Sequence, residues 1–252
     1  MADPAREGGA GGPLALERLL ALLGEGRLEL QGRFLWGSNY TFLATVADLE
    51  GTVRVVYKPS AGERPLWDFD HETLARREVA AYRVSAHLGW PSVPPTALGN
   101  GPHGPGSVQL YINSDPEEHF FSLRETGRYD DDFRRIALFD LLINNADRKA
   151  GHCLLGNDER IWSIDHGLTF HVDRKLRTVI WDYAGEPIPA ACLADLQALA
   201  PSLAPGRPLH EDLSGLLAAD EIEALRQRLR RLARLARMPR PGPGRNVPYP
   251  LV

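Results

Sequence analysis

Cysteine is scarce in this chain: Cys153 and Cys192 are its two copies in 252 residues. Neither stands in a C-x-x-C or zinc-ligand spacing, so a thiol redox pair or a structural zinc is not expected. Cys153 lies within an apolar stretch and reads as buried filler. A reducing, cytoplasmic home fits. Long apolar runs are missing as well. Leu14–Leu23 is leucine-rich but short, carries Glu17 and Arg18 and has no basic leader, so it reads as an amphipathic helix and not as a span or signal. There is no basic excess either: 29 Lys and Arg face 33 Asp and Glu, a formal net charge of −4. That balance argues against a dedicated nucleic-acid binder. Internal repeats are also absent, and the turn around Gly37, with Gly32 before it, is not a G-x-G-x-x-G loop.

What is present is an ordinary globular composition, 43% hydrophobic and 25% charged, long enough for one large domain or a two-lobed one. The chain is organised around 138–170. A helical run with Phe133, Ile136, Ala137 and Leu141 on one face ends in the polar loop Asn144-Asn145-Ala146-Asp147-Arg148-Lys149. Two apolar pieces follow, His152–Leu155 and Ile161–Ile164, split by the turn-forming Gly156-Asn157-Asp158-Glu159-Arg160. The second piece delivers Asp165-His166-Gly167. A helix, an Asp loop, a hairpin and an Asp before Gly is the catalytic order of a protein-kinase-like fold. In that order Asp147 aligns the acceptor hydroxyl and Asp165 holds magnesium on the ATP phosphates. Two solvated turn aspartates are the plain alternative.

Upstream order decides between them. Alternating residues predict strands over Arg27–Phe34, Thr41–Ala47 and Val53–Lys58. Gly37-Ser38-Asn39-Tyr40 joins the first two, and its small residues would let backbone N–H groups approach phosphate oxygens. Lys58 closes the third strand, where an ammonium can reach the α and β phosphates. Its expected partner is Glu78, bordering the apolar stripe Ala75, Val79, Tyr82 and Ala86 of a helix over Asp70–Leu88; an exposed Glu78 pairing with Arg77 or Arg83 through solvent is the plain alternative. A Gly/Pro-rich turn, Gly99–Gly106, and a strand, Ser107–Asn113, then lead to a hinge near Tyr111–Asp115 that would bind the adenine edge. Asp130-Asp131-Asp132 favour the N-terminus of the helix that ends near Asn145.

Downstream, Arg174, Lys175 and Arg177 fall where kinases place an activation or substrate loop, and three cations could read an anionic acceptor or form no more than a solvated turn. The aromatic loop from Trp181 to Pro187 could wall that site. Helices are expected over Ala194–Leu199 and Asp220–Met238, the latter with Ile222, Leu225, Leu229, Leu232 and Ala236 on one face and Asp220 and Glu223 as a capping box. Its arginines make a solvated face, or one suited to peripheral contact with anionic lipid. Residues 1–13 and the Pro/Gly-rich 239–252 read as mobile tails. Between them lie an ATP-binding β-rich lobe, 14–113, and a helical catalytic lobe, 114–238.

Asn145-Ala146-Asp147-Arg148 together with Ile164-Asp165-His166-Gly167-Leu168-Thr169-Phe170 resembles the core of phosphatidylinositol 3-/4-kinase-like enzymes, type II phosphatidylinositol 4-kinases above all. Lys58-Pro59, Glu78-Val79-Ala80-Ala81-Tyr82 and Val93-Pro94-Pro95-Thr96 resemble the upper lobe of the same enzymes. The composition suits a bacterial group of such proteins from a high-GC actinobacterium. One departure stands out: where these kinases carry a metal-binding Asn, five residues after the catalytic Asp, this chain has His152. The resemblance implies an α+β, two-lobed atypical protein-kinase-like fold with a small antiparallel β lobe and a larger helical lobe. It also implies an ATP- and Mg2+-dependent (or Mn2+-dependent) kinase. Lys58, Glu78 and Asp147 would be catalytic, Gly37, Ser38, Asn39, Lys58 and Tyr111 would bind ATP, and Asp165 with His152 would hold metal. Arg174, Lys175 and Arg177 would face a lipid headgroup. A HipA-like protein kinase, a nucleotide-binding pseudokinase scaffold and an adenylate transferase are the rival readings.

Overall fold

Period-two alternation of apolar residues builds the first sheet. The computed structural model describes residues 15–34, 39–49 and 51–252. The chain begins with helix α1 (Leu16–Glu25) and strands β1 (Arg27–Arg33), β2 (Phe42–Ala47) and β3 (Thr52–Pro59). Helix α2 (Leu74–His87) follows, then the hairpin of β4 (Thr96–Gly101) and β5 (Gly104–Leu110). The five strands pair antiparallel in the order β1-β2-β3-β5-β4. Ala44, Val46, Val53, Val55, Tyr57 and Val108 form the buried face, covered by Leu22 and Leu23 of α1.

The β4–β5 hairpin replaces the turn expected over Gly99–Gly106. Its glycines serve close approach more than turning: a Cβ on Gly99 would come within 2.8 Å of Leu23 O and of Val108 Cγ2, and one on Gly106 would collide with the Lys58 carbonyl. Only Gly104, at φ 90°, supplies a left-handed turn conformation.

The second lobe contains α3 (Phe120–Arg124), α4 (Asp130–Ile143), the two-stranded β6 (Cys153–Leu155) and β7 (Ile161–Ser163), α5 (Ala190–Leu199), α6 (Pro208–Ser214) and α7 (Ala219–Leu235). Ile222, Leu225, Leu229 and Leu232 of α7 share one core with Leu138, Phe139, Leu142 and Ile143 of α4. Ala80, Ala81, Val84 and Leu88, from α2 and its C-terminal edge, enter that same core. By chain order α2 belongs to the small lobe; by packing it belongs to both, so the helix bearing Glu78 is anchored to the catalytic lobe. The cap of α7 also differs from the expected pair: Glu221, not Glu223, accepts the Ala218 N–H, at 3.0 Å. No helix among the described residues is long and apolar enough to cross a membrane.

The stretch 239–252 is not a loose tail. Thr178 N–H and the Trp181 indole donate to Asn246 O at 3.0 and 2.9 Å, and Ala150 N–H donates to Leu251 O at 2.8 Å. The N-terminal tail, 1–13, lies outside the described residues.

Candidate active site

Lys58 leaves β3 opposite Ser107 of β5 and points its ammonium between two carboxylates, 2.5 Å from Glu78 Oε1 and 3.0 Å from Asp165 Oδ1. Glu78 is buried, and a buried carboxylate needs every oxygen partnered. Its second oxygen accepts the His166 N–H at 2.9 Å, so one side chain fixes both the lysine and the backbone beside Asp165. Burial alone would lower the Lys58 pKa, but Asp165 and Glu78 more than reverse it, and the ammonium stays charged. Burial would raise Asp165; Lys58 and then His152 outweigh it and hold the carboxylate well below its usual range. Asp165 keeps 46% of its side-chain surface open and sits at φ 60°, a left-handed conformation that aspartate tolerates better than most residues.

The loop bearing Asp147 is held from beneath. Helix α4 stops at Asn144, which takes the left-handed C-cap conformation at φ 57°. Its side chain donates to His171 O and Asp173 O, and accepts from Lys175 N–H. Asn145 donates to Asp140 Oδ1 at 2.9 Å and accepts the Asp147 N–H at 3.0 Å. Arg148 is fully buried and forks onto Asp140, with Nε–Oδ2 at 3.0 Å and Nη2–Oδ1 at 3.1 Å. Its remaining donors reach His152 O, Ile164 O and His166 Nε2. One guanidinium therefore joins helix, loop and the strand end that carries Asp165.

Asp147 itself is partly open to the cleft. Burial pushes its carboxyl up to about 6; Lys149, 3.5 Å away, opposes that, and the charge of Asp165 adds to it. His152 lies 3.3 Å from Asp165 through Nε2, and burial lowers its ring to about 4, so it is neutral near pH 7. Its Nδ1 accepts the Lys149 N–H at 3.4 Å, which leaves the ring proton on Nε2, facing Asp165.

Lys58, Glu78, Asp165 and His152 thus converge, with Asp147 on the adjoining loop. Gly37 and Ser38 lie outside the described residues. Asn39 is tied sideways: its side chain accepts Arg64 N–H at 2.8 Å. Tyr111 directly follows β5, its ring under the Arg54 guanidinium at 5.0 Å. Two of the three downstream cations are engaged by other parts of the chain, and the third is tied through its backbone. Lys175 pairs with Asp68 at 3.0 Å and lies over the Trp67 ring, Arg174 lies against Gly242, and Arg177 pairs through its backbone with Asn145 O and Arg148 N–H.

Sequence reading gave no role of their own to Asp140, Arg148 and Lys149, and took Arg77 only as a solvent-side neighbour of Glu78. An aspartate between Phe139 and Leu141 on an apolar helix was the available signal for the Asp140–Arg148 pair. Arg77 had no such signal. It is buried beside Glu78, with Nη1 2.6 Å from both Glu221 Oε1 and Thr169 O, and it ties α2 to α7 and to the segment after Asp165.

No family model matches the chain. Among solved structures, the Golgi casein kinase with Mn/ADP bound superimposes at a TM-score of 0.55 over 87% of this chain and 74% of that one, with 16% identity. Phosphatidylinositol 4-kinase gamma 4 from Oryza sativa is 31% identical over 45% of this chain, which spans 24% of that protein. Protein Rv2133c from Mycobacterium tuberculosis is 42% identical over 91% of this chain and 94% of its own length. The fold is that of the atypical kinases, and the chain belongs to the family of the mycobacterial Protein Rv2133c.

Proposed function

We propose that the protein is an ATP-dependent phosphotransferase acting on a hydroxyl acceptor. The observation that carries this reading is Lys58 held between Glu78 and Asp165, with Asp147 on the loop that Arg148 fastens to the same strand end. Lys58 would bind the α and β phosphates, and Glu78 keeps its ammonium from swinging away. Asp147 would accept the proton of the acceptor hydroxyl as its oxygen bonds to the γ-phosphorus. The bond from that phosphorus to the β–γ bridging oxygen breaks, and ADP departs. Lys149, beside Asp147, is placed to meet the charge on the transferred group.

A divalent cation fits on the Asp165 side. Magnesium is commonly held by one or two carboxylates together with substrate phosphates, and Asp165 offers an open carboxylate. Among the described residues no cluster of three or more His, Cys, Asp or Glu side chains able to hold a metal ion is present, and substrate phosphate oxygens and water would complete the shell. Mg2+ or Mn2+ when bound supplies charge neutralisation at those oxygens. With its Nε2 proton facing Asp165, His152 acts in this reading as a hydrogen-bond donor that orients the carboxylate, in place of the ligand its position suggests.

The acceptor class is a hydroxyl compound, a lipid headgroup or a protein side chain. Incubation with ATP labelled separately at the α and γ phosphates tests the reading. Transfer of γ label alone supports it. Transfer of α label would indicate adenylate transfer, and transfer of neither, from a folded protein, would indicate a pseudokinase.

A further inference from the structure

The segment after α7 follows the C-lobe surface and finishes on the loop that carries Asp147. Met238 exchanges backbone hydrogen bonds with Gly185 and Glu186. Gly242 passes against the Arg174 guanidinium. Asn246 O then takes both the Thr178 N–H and the Trp181 indole N–H, and Leu251 O takes the Ala150 N–H. Residues 148 and 177–179 are themselves paired through their backbones, so the loop and the segment that carry these donors run side by side. Ala150 follows Asp147 by only three positions in the chain.

We propose that this face, loop 148–151 with segment 174–181, is the acceptor platform, that it takes an extended polypeptide, and that residues 240–252 occupy it in cis. The inference rests on the reading of Asp147 as the acceptor-side base. Three features point to polypeptide. The donors at Ala150, Thr178 and Trp181 all engage main-chain carbonyls, while the Asn246 side chain turns back onto Gly242 O and Gly244 O. Such a face reads backbone, which a lipid headgroup lacks. Two of the three cations expected to read an anion are also engaged: Lys175 is spent on Asp68 and Arg174 lies against the segment. Finally, the segment is held shallowly. Pro248 is buried, but Tyr249 is 84% exposed and Val247, Leu251 and Val252 are exposed with it. Its attachment therefore rests mainly on its backbone carbonyls and on Pro248.

The test uses a labelled peptide of residues 240–252 and a chain truncated after Pro239, read by fluorescence anisotropy without nucleotide. The truncated chain should bind the peptide, and unphosphorylated casein should displace it. The full chain should bind at least about tenfold more weakly, because a tethered segment competes at an effective concentration near millimolar. With γ-labelled ATP, truncation should raise kcat/KM for casein and leave ATP affinity unchanged. Should truncation unfold the protein, full-length Pro248→Asp, which puts a charge at the segment's buried position, should release the segment and give the same gain. A folded truncated chain that fails to bind the peptide would overturn the proposal. So would displacement by phosphatidylinositol vesicles and not by casein. The binding arm needs no phosphate transfer, so loss of the kinase reading and loss of this proposal are seen separately.

Discussion

The two sides of the cleft are built by different means. On the nucleotide side, side chains hold side chains: Lys58 between Glu78 and Asp165, Arg148 on Asp140, Arg77 on Glu221. On the acceptor side, main chain holds main chain: Arg177 on Asn145 and Arg148, Thr178 on Asn246, Ala150 on Leu251. Charge networks buried from water are rigid and costly to break, whereas backbone pairing at a surface can be exchanged for another chain. In the proposed reading the Lys58 side would thus be assembled in advance, and the side of loop 148–151 would be exchangeable.

The comparison breaks most visibly at Asp147. Asp147→Asn should lower turnover by about two to four orders of magnitude and leave ATP affinity within a few-fold. Near-normal turnover in steady-state assays would remove Asp147 from the chemistry. The next effect is on stability. Asp140→Ala leaves Arg148 charged and buried without its partner, and urea denaturation should show a loss of roughly 3–5 kcal/mol. Arg124→Met, which cuts the exposed pair with Asp182, should cost no more than about 1 kcal/mol. Equal losses for the two variants would erase the contrast.

Asp147 also sets a pH dependence. Its carboxyl titrates in the folded protein at about 6, above its ordinary range, because burial disfavours the charge. As the proposed base it must be ionised, so kcat/KM should fall as pH drops through about 6. The folded state binds the proton more tightly than the unfolded chain does. The charge on Asp147 therefore costs stability that grows as pH rises from about 4 to 6 and stays constant above. Asp147→Asn should gain on the order of 1–3 kcal/mol at neutral pH and nothing below about pH 4. A variant no more stable than wild type at pH 7 would show that the site does not strain this carboxylate.

The smallest expected effect is at His152. If it orients Asp165 through Nε2–H, His152→Asn keeps an N–H donor, and the magnesium concentration for half-maximal activity should be unchanged. A lower magnesium requirement in the variant would return His152 to the metal shell.

The same contrast explains what the sequence made legible. Residue identity carries side-chain chemistry, so Lys58, Glu78 and Asp165 could be placed together from order and spacing. Asp140, lying inside an apolar helix, could have led to Arg148. Arg77 could not be found, because its partners, Glu221 and the Thr169 carbonyl, are remote in sequence and one of them is backbone. The β4–β5 hairpin was obscured because Gly99 and Gly106, which admit neighbouring backbone, look like turn residues. The strap at 239–252 was hidden for a related reason. A Pro/Gly-rich composition signals lack of helix and strand, and it says nothing about carbonyls that accept from another part of the chain.

The central claim is that Lys58, Glu78 and Asp165 form a nucleotide-phosphate site completed by a divalent cation. Thermal denaturation of wild type and Asp165→Ala, each with and without saturating ATP and magnesium, tests it most directly. Ligand bound only to the native state raises stability by mass action, about 2.7 kcal/mol at one hundred times Kd. The account predicts a clear rise for wild type whose magnesium-dependent part disappears in Asp165→Ala. An unchanged melting curve for folded wild type with ATP and magnesium would contradict it.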